Sequence, residues 1–268
     1  MGNTDYLEQA LDIALTAGTM IKSRISDGSL IFQKSSAYDL VTEVDQAAEH
    51  LIRNHLYEKF PTHRVLGEEG GVSCEQPLDI QSEPYLWVVD PIDGTNNFIN
   101  GLPGYTVSIA LIRYGVIQLG VVYDPTIQEM FWAVLGKGAF LNGRRIQVSP
   151  VQSLDDSIIG TGFPSNIASD RPHMLNQVQN IRDCCRNIRI YGSAALQLAY
   201  VASGRLNATW DLSLQLWDIA AGALIVQESG GVVSEVDGRD FHLSTRNILA
   251  SNKELHSLLV KKLNHSDG

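Results

Sequence analysis

The chain is short of cysteine, basic charge, histidine and long apolar runs, and each shortage removes a class of function. Three cysteines in 268 residues, with Cys184 and Cys185 adjacent in a predicted helix, argue for reduced thiols and against a disulfide framework. With no His partner in a motif, that pair reads as buried thiol and not nucleophile. No stretch approaches the ~20 apolar residues of a membrane span. The polar, acidic start lacks the basic and apolar segments of a secretion signal, and Tyr6 breaks the myristoylation pattern behind Met1-Gly2. A cytoplasmic setting without a membrane partner is expected. Lys and Arg number 20 against 30 Asp and Glu, a formal net charge of −10, so no chain-wide attraction to nucleic acid is expected either. The seven histidines show no metal-ligand spacing, and His63 and His265 read as surface residues. Trp87, Trp132, Trp210 and Trp217 read as core and interface packing, because no basic patch surrounds them.

Apolar residues are plentiful, at 44%, enough for one large domain or two intimate halves. Leu7, Ala10, Leu11, Ala14, Leu15, Gly18, Ile21 and Ile25 fall at helical spacing and predict a helix over residues 4–26. A second helix is predicted from Asp45 to Lys59, stopped by Pro61. Short β-rich runs follow at Val65-Leu66, Leu86–Val89, Val107–Arg113, Val116–Tyr123 and Glu129–Val134. Tyr114-Gly115 and Asn142-Gly143 are hairpin turn candidates, which together give a meander-like antiparallel sheet. Beyond residue 150 strands (Ser157–Thr161, Arg189–Tyr191, Ala208–Asp211, Val232–Ser234, Asn247–Ala250) alternate with helices (Pro172–Cys185, Ala194–Ser203, Asp218–Glu228, Lys253–Leu263). That alternation implies a second sheet with packed helices. No linker or repeat separates half 1–150 from half 151–268, so the chain reads as one unit, α/β or α+β with a mixed sheet.

The most informative run is Trp87-Val88-Val89-Asp90-Pro91-Ile92-Asp93-Gly94-Thr95. An apolar strand ends in two carboxylates at a turn that Pro91 stiffens and Gly94 reverses. A few carboxylates plus waters and phosphate oxygens is the coordination that Mg²⁺ favours. Asp-Pro and Asp-Gly are also ordinary turn residues; other acidic motifs tip the balance. These are Gly67-Glu68-Glu69-Gly70-Gly71, Leu216-Trp217-Asp218-Ile219-Ala220-Ala221-Gly222, and Asp39-Leu40-Val41-Thr42-Glu43-Val44-Asp45. Each has a local reading too: a solvated edge for Glu68 and Glu69, a helix-dipole charge for Asp218, a helix-start pair for Thr42 and Asp45.

In this order, from about Lys34 to Gly231, the motifs resemble the inositol monophosphatase family of metal-dependent, lithium-sensitive phosphatases. The resemblance implies an α+β fold, a layered αβαβα sandwich of two mixed sheets with packed helices, the metal site lying between the halves. It implies two or three Mg²⁺ ions, with Mn²⁺ as a substitute. Asp90 bridges two ions, Glu68 and the Ile92 carbonyl complete the first, and Asp93 and Asp218 complete the second. Four carboxylates bring about −4, which two or three such ions turn neutral to positive.

Also by resemblance, Thr95 orients the attacking water with Glu68, and Asp45 supports Thr95 by a hydrogen bond. The local reading of Thr95 is a plain helix N-cap, a role compatible with that one. Gly94 and Thr95 offer backbone N–H groups to phosphate. Lys34 belongs to a flap over the site. Gly192, Ser193, Ala194 and Asp211, with Asp218, contact the leaving group. The chain departs from the inositol phosphatases at Asp211, where they carry Glu, at Ser193, commonly Thr, and at Asn100, where many have His. Losing one methylene displaces a hydrogen bond by ~1.5 Å, so the departure bears on the substrate and not on the chemistry.

The function implied is hydrolysis of a small polyol or sugar monophosphate, inositol 1-phosphate first. Fructose 1,6-bisphosphate, histidinol phosphate, 3′-phosphoadenosine 5′-phosphate and NADP are alternatives. A homodimer is implied as well. A different class of role, a non-catalytic binding factor for the transcription machinery, is implied by some bacterial relatives.

Overall fold

Alternation along the strands decides the layering. In the strand Leu86–Asp93, Trp87 and Val89 enter one buried cluster while Leu86 and Val88 enter another. A sheet with apolar residues on both faces must be covered on both faces. The computed structural model describes residues 3–25, 31–33, 40–72, 78–164 and 170–265. The elements run α1 (Asn3–Ser23), β1 (Ile31–Gln33), β2 (Leu40–Thr42), α2 (Glu43–Lys59), β3 (Arg64–Gly67), β4 (Gly71–Val72), β5 (Leu86–Asp93), α3 (Thr95–Ile99), β6 (Thr106–Arg113), β7 (Val116–Asp124), β8 (Glu129–Val134), β9 (Gly138–Leu141) and β10 (Arg144–Ile146). There follow β11 (Ile158–Thr161), α4 (Asp170–Arg182), β12 (Asn187–Arg189), α5 (Ala194–Ala202), β13 (Ala208–Asp211), α6 (Leu216–Glu228), β14 (Val232–Glu235), β15 (Ile248–Ser251) and α7 (Lys253–Leu263).

Eight strands form one sheet in the order β10-β9-β8-β7-β6-β5-β3-β4, and five form another in the order β12-β11-β13-β15-β14. Strands β5 to β10 are the antiparallel meander that the turns predict, and Tyr114-Gly115 and Asn142-Gly143 do turn it with positive φ. The sheet is mixed and not purely antiparallel, because β3 runs parallel to β5. The Asn142-Gly143 turn brings with it two strands, β9 and β10, that the apolar pattern alone does not mark: only Gly138 and Ala139 of β9 are buried, and nothing in β10 is.

Helices α1 and α2 cover one face of the large sheet around Trp87, Val89, Ile109 and Val121. Helices α5 and α6 lie on the other face, sharing a core with Leu86, Val88, Val122 and, from the small sheet, Ile248 and Ala250. The far face of the small sheet, with Trp210 and Leu249, is closed by Met174 and Ile181 of α4 and Leu255 and Leu259 of α7. Five layers result, αβαβα. Each fully buried Leu, Ile, Val or Phe contributes ~1.5–3 kcal/mol. Contact between α6 and β7 is close enough to demand glycine: a Cβ on Gly120 would stand 2.6 Å from the Ala221 carbonyl oxygen.

Several local expectations shift. Helix α1 ends at Ser23, short of 26, and its buried face is Tyr6, Ala10, Ile13, Ala14, Ala17 and Ile21, with Leu15 48% exposed. Small residues let the helix sit close: a Cβ on Gly18 would fall 2.6 Å from the Tyr123 ring. Strand β12 ends at Arg189 and not Tyr191. Cys184 and Cys185 follow the end of α4 and are half-buried; the remaining cysteine, Cys74, lies outside the described residues. His63 is no surface residue. It stacks on Phe60 and Tyr85 at centroid distances of 4.9 and 4.3 Å, and its Nδ1 accepts Trp87 Nε1–H at 3.1 Å. Trp87 and Trp210 are fully buried; Trp132 and Trp217 are half-buried, Trp132 stacking on Phe140.

Candidate active site

In a regular strand, residues three apart point to opposite faces. Between Asp90, opposite Ser108, and Asp93, opposite Thr106, β5 carries one residue more than β6. This bulge turns both carboxylates toward one cavity, and it is where a proline without an N–H is tolerated. The Ile92 N–H donates to Asp90 Oδ1 at 3.0 Å, closing the turn. Gly94 then takes φ +101°; a Cβ there would meet the Gly104 and Gly192 carbonyl oxygens at 2.9 and 3.2 Å.

Thr95 opens α3, and Gly94 occupies its N-cap position, so the plain N-cap reading of Thr95 fails. The Thr95 hydroxyl donates instead to the Ile92 carbonyl at 3.0 Å or to Asp45 Oδ1 at 3.2 Å. Asp45 is held on its other oxygen by the Thr42 N–H (2.8 Å) and hydroxyl (2.5 Å), the capping box that starts α2. Burial raises the Asp45 carboxyl above its ordinary range, against these bonds.

The second half reaches in through α5 and α6. Ser193, the N-cap of α5, donates to Asp93 Oδ2 at 2.6 Å and accepts the Leu196 N–H at 3.1 Å. The Ala195 N–H donates to the same Asp93 oxygen at 2.6 Å. Ser193 therefore holds Asp93 and is not simply free for a leaving group. Asp218, in the first turn of α6, accepts the Gln215 N–H at 2.7 Å. Asp90 lies within proton-sharing reach of Glu68 and of Asp218. Burial first, then the neighbouring carboxylates, raise Asp90 and Asp218 well above the ordinary carboxylate range; Asp93 is raised to about 6.

These groups line a cavity of about 510 Å³ that includes Glu68, Asp90, Asp93, Asp211 and Asp218, with Ile92, Gly94, Thr95, Gly192, Ser193 and Ala194. None of its described lining residues is Lys, Arg or His. No described ion pair involves Asp90, Asp93 or Asp218. Among the described residues no group of three or more acidic, His or Cys side chains is already arranged to hold a metal ion. The donor set is nonetheless all oxygen and strongly anionic, which suits Mg²⁺, an ion that keeps several of its waters. Asp45 lies behind Thr95 and outside the cavity lining; Lys34 and Asp39 lie outside the described residues.

Asp211 lines the same cavity. Its Oδ2 accepts Gln197 Nε2–H at 3.0 Å and the Thr209 hydroxyl at 3.2 Å. Burial raises it to about 7. Gln197, which lines the cavity, was missed in the sequence, as was Asn97 just outside the lining, whose Nδ2 donates to the Gly104 and Tyr191 carbonyls at 2.7 and 2.6 Å and ties α3 to the second half. Glu49 is a third: it accepts the N–H groups of Glu69 and Gly70 at 2.7 and 2.8 Å, beside Glu68. One signal for it was visible, an acid beside Ala48 in the apolar stripe of α2.

A sequence profile described as "Inositol monophosphatase family" matches residues 3–267. The chain belongs to the inositol monophosphatase family. It is 43% identical to the "Nus factor SuhB" of Pseudomonas aeruginosa over 95% of this chain and 94% of that protein. It is 38% identical to "Inositol monophosphatase 1" of Solanum lycopersicum over 98% of this chain and 96% of that one. A crystal structure of the extragenic suppressor protein suhB from Bartonella henselae superposes with a TM-score of 0.91 at 35% identity, covering 98% and 99% of the two chains. Inositol monophosphatases are phosphoric monoester hydrolases, and the fold and enzyme class expected of this chain are those of the family.

Proposed function

We propose that this protein hydrolyses a small polyol or sugar monophosphate, inositol 1-phosphate first among them, with two or three Mg²⁺ ions held by Glu68, Asp90, Asp93, Asp218 and the Ile92 carbonyl. The observation that carries the reading is the cavity itself: five carboxylates and no basic side chain among its described lining residues. Such a cavity repels a phosphate ester unless cations enter first. Bound there, Mg²⁺ (or Mn²⁺) would acidify a water and offset charge on the phosphoryl group.

The chain's own residues do the rest. With its proton committed to Asp45 or to the Ile92 carbonyl, the Thr95 hydroxyl is left to accept from, and so orient, a water beside Glu68. Ser193 and Ala195 fix Asp93. Gly94 lets the turn pass close to Gly104 and Gly192, and in this reading the backbone N–H groups of residues 94 and 95 bind the phosphate. Asp211, with one oxygen tied to Gln197 and Thr209, leaves the other for a leaving-group hydroxyl. A homodimer and a cytoplasmic setting accompany this reading through the family.

The test is phosphate release from inositol 1-phosphate, fructose 1,6-bisphosphate, histidinol phosphate, 3′-phosphoadenosine 5′-phosphate and NADP, with Mg²⁺ and with chelator. Metal-dependent turnover with one ester far ahead is expected; no turnover of any overturns it. The names of the bacterial relatives favour a second reading, a binding role in transcription. Rescue of a knockout phenotype by Asp93→Asn would select that role, and failure of rescue the catalytic one.

A further inference from the structure

Helix α2 carries Asp45, Glu49 and Arg53 at one-turn spacing, on its inner side. Residues four apart on a helix stack over one another, so the three make a polar file facing the two acidic turns. Asp45 serves the Thr95 turn. Glu49 and Arg53 serve the turn that joins β3 to β4 and carries Glu68.

Glu49 is 2% exposed. Its Oε2 accepts the Glu69 N–H at 2.7 Å, and its Oε1 accepts the Gly70 N–H at 2.8 Å and Arg53 Nε–H at 2.7 Å. Arg53 continues to the Gly71 carbonyl at 2.6 Å and the Val65 carbonyl at 3.3 Å. A carboxylate thus fills the hollow of successive N–H groups in the turn, as an anion fills a backbone nest. Gly67 leaves it room: a Cβ there would lie 2.4 Å from the Glu49 carboxyl carbon. A buried carboxylate is expensive unless paired and fully hydrogen-bonded, and this one is both. The residue just before the clamped N–H groups is Glu68, whose own N–H donates to the Val89 carbonyl at 3.2 Å, one position from Asp90.

We infer that Glu49, backed by Arg53, is a positioning residue that sets where Glu68 stands relative to Asp90 and so sets the affinity of the site for its cation. The inference rests on the reading of Glu68 as a metal ligand. Glutamine at 49 keeps the shape, but it offers an N–H₂ group to one of the two N–H donors and gives up the ion pair with Arg53. The turn is then held on one side only.

The experiment is calorimetric titration of Mg²⁺ into the chelator-treated full-length protein, as wild type, Glu49→Gln, Arg53→Lys and, as a control for mere destabilisation of α2, Ile52→Val. A thermal melt of each in chelator accompanies it. Groups that orient metal ligands typically change metal affinity 10–100-fold. Glu49→Gln is expected to weaken Mg²⁺ binding about tenfold or more. Arg53→Lys, which keeps the charge and loses the fork, is expected to weaken it in the same direction by less, and it carries the test if Glu49→Gln does not fold. Ile52→Val lowers the melting temperature and leaves Mg²⁺ binding within about twofold. Glu49→Gln and Arg53→Lys both within about twofold of wild type, with lowered melting temperatures, would overturn the inference and leave the clamp purely structural. Absence of Mg²⁺ binding by the wild type would instead remove the reading of the site, and the inference with it.

Discussion

Asp93→Asn should make the metal-free protein more stable while it destroys the proposed metal site. Burial, opposed by the Ser193 and Ala195 bonds, lifts the Asp93 carboxyl to about 6 from an ordinary 3.8. At ~1.4 kcal/mol per pKa unit, that difference costs the metal-free fold ~3 kcal/mol once the group is ionised. The sign follows from proton binding. The native state binds the proton more tightly than the unfolded chain, so the contribution is present below pH 3.8 and is lost as pH rises through about 6. Both Ser193 Oγ–H and the Ala195 N–H point at one oxygen, Oδ2. An asparagine with its carbonyl oxygen in that place keeps both bonds and carries no charge at any pH.

In chelator at pH 8 the variant should therefore melt up to ~10 °C above wild type, taking ~2–4 °C per kcal/mol for a chain of this size. About half of the gap should close at pH 5 and most of it by pH 4. Mg²⁺ should reverse the order by binding and stabilising the wild type alone. A variant that melts below wild type in chelator at pH 8, or that gains as much from Mg²⁺ as wild type, would refute the reasoning.

Gly94→Ala places a Cβ at φ +101° and 2.9 Å from a backbone oxygen; it should cost at least ~1–3 kcal/mol in urea denaturation and abolish phosphate release, and an unchanged midpoint contradicts it. His63, lowered to about 4 by burial, has a native pKa below its unfolded 6.5, so its contribution is full above pH 6.5 and is lost as pH falls toward 4. Protonating Nδ1 also removes the acceptor of Trp87 Nε1–H. His63→Phe should flatten the pH dependence of stability over that window by up to ~3 kcal/mol, and a difference between the two proteins that is constant with pH counts against this. Asp211→Glu should move KM among the phosphate esters more than kcat and leave the Mg²⁺ requirement alone; an altered Mg²⁺ requirement would place Asp211 among the metal-holding groups.

The acidic turns were legible because their chemistry is local. Asp90-Pro91-Ile92-Asp93-Gly94 contains both carboxylates and the residues that bend the chain, and the structure brings Glu68, Asp90, Asp93 and Asp218 to one cavity. Capping by Thr42 and Asp45, and the Thr95–Asp45 hydrogen bond, were likewise within reach of sequence and resemblance. What escaped were contacts between distant segments. Glu49 meets residues 20 and 21 positions away, and Asn97 reaches 94 positions to Tyr191; neither spacing leaves a periodic trace. His63 misled because an imidazole among Phe60, Tyr85 and Trp87 is buried by its neighbours and not by its own character. The parallel pairing of β3 with β5 was hidden too, since apolar alternation reports a covered face and not a strand direction.

The central claim is that the carboxylate cavity is a cation site built for phosphate ester hydrolysis. The most direct measurement is phosphate release from inositol 1-phosphate as Mg²⁺ is titrated into chelator-treated wild type and Asp93→Asn. The account predicts no release without Mg²⁺, saturable release with it, and background at every Mg²⁺ concentration in the variant. Release that is indifferent to Mg²⁺, or a variant as active as wild type, would contradict it.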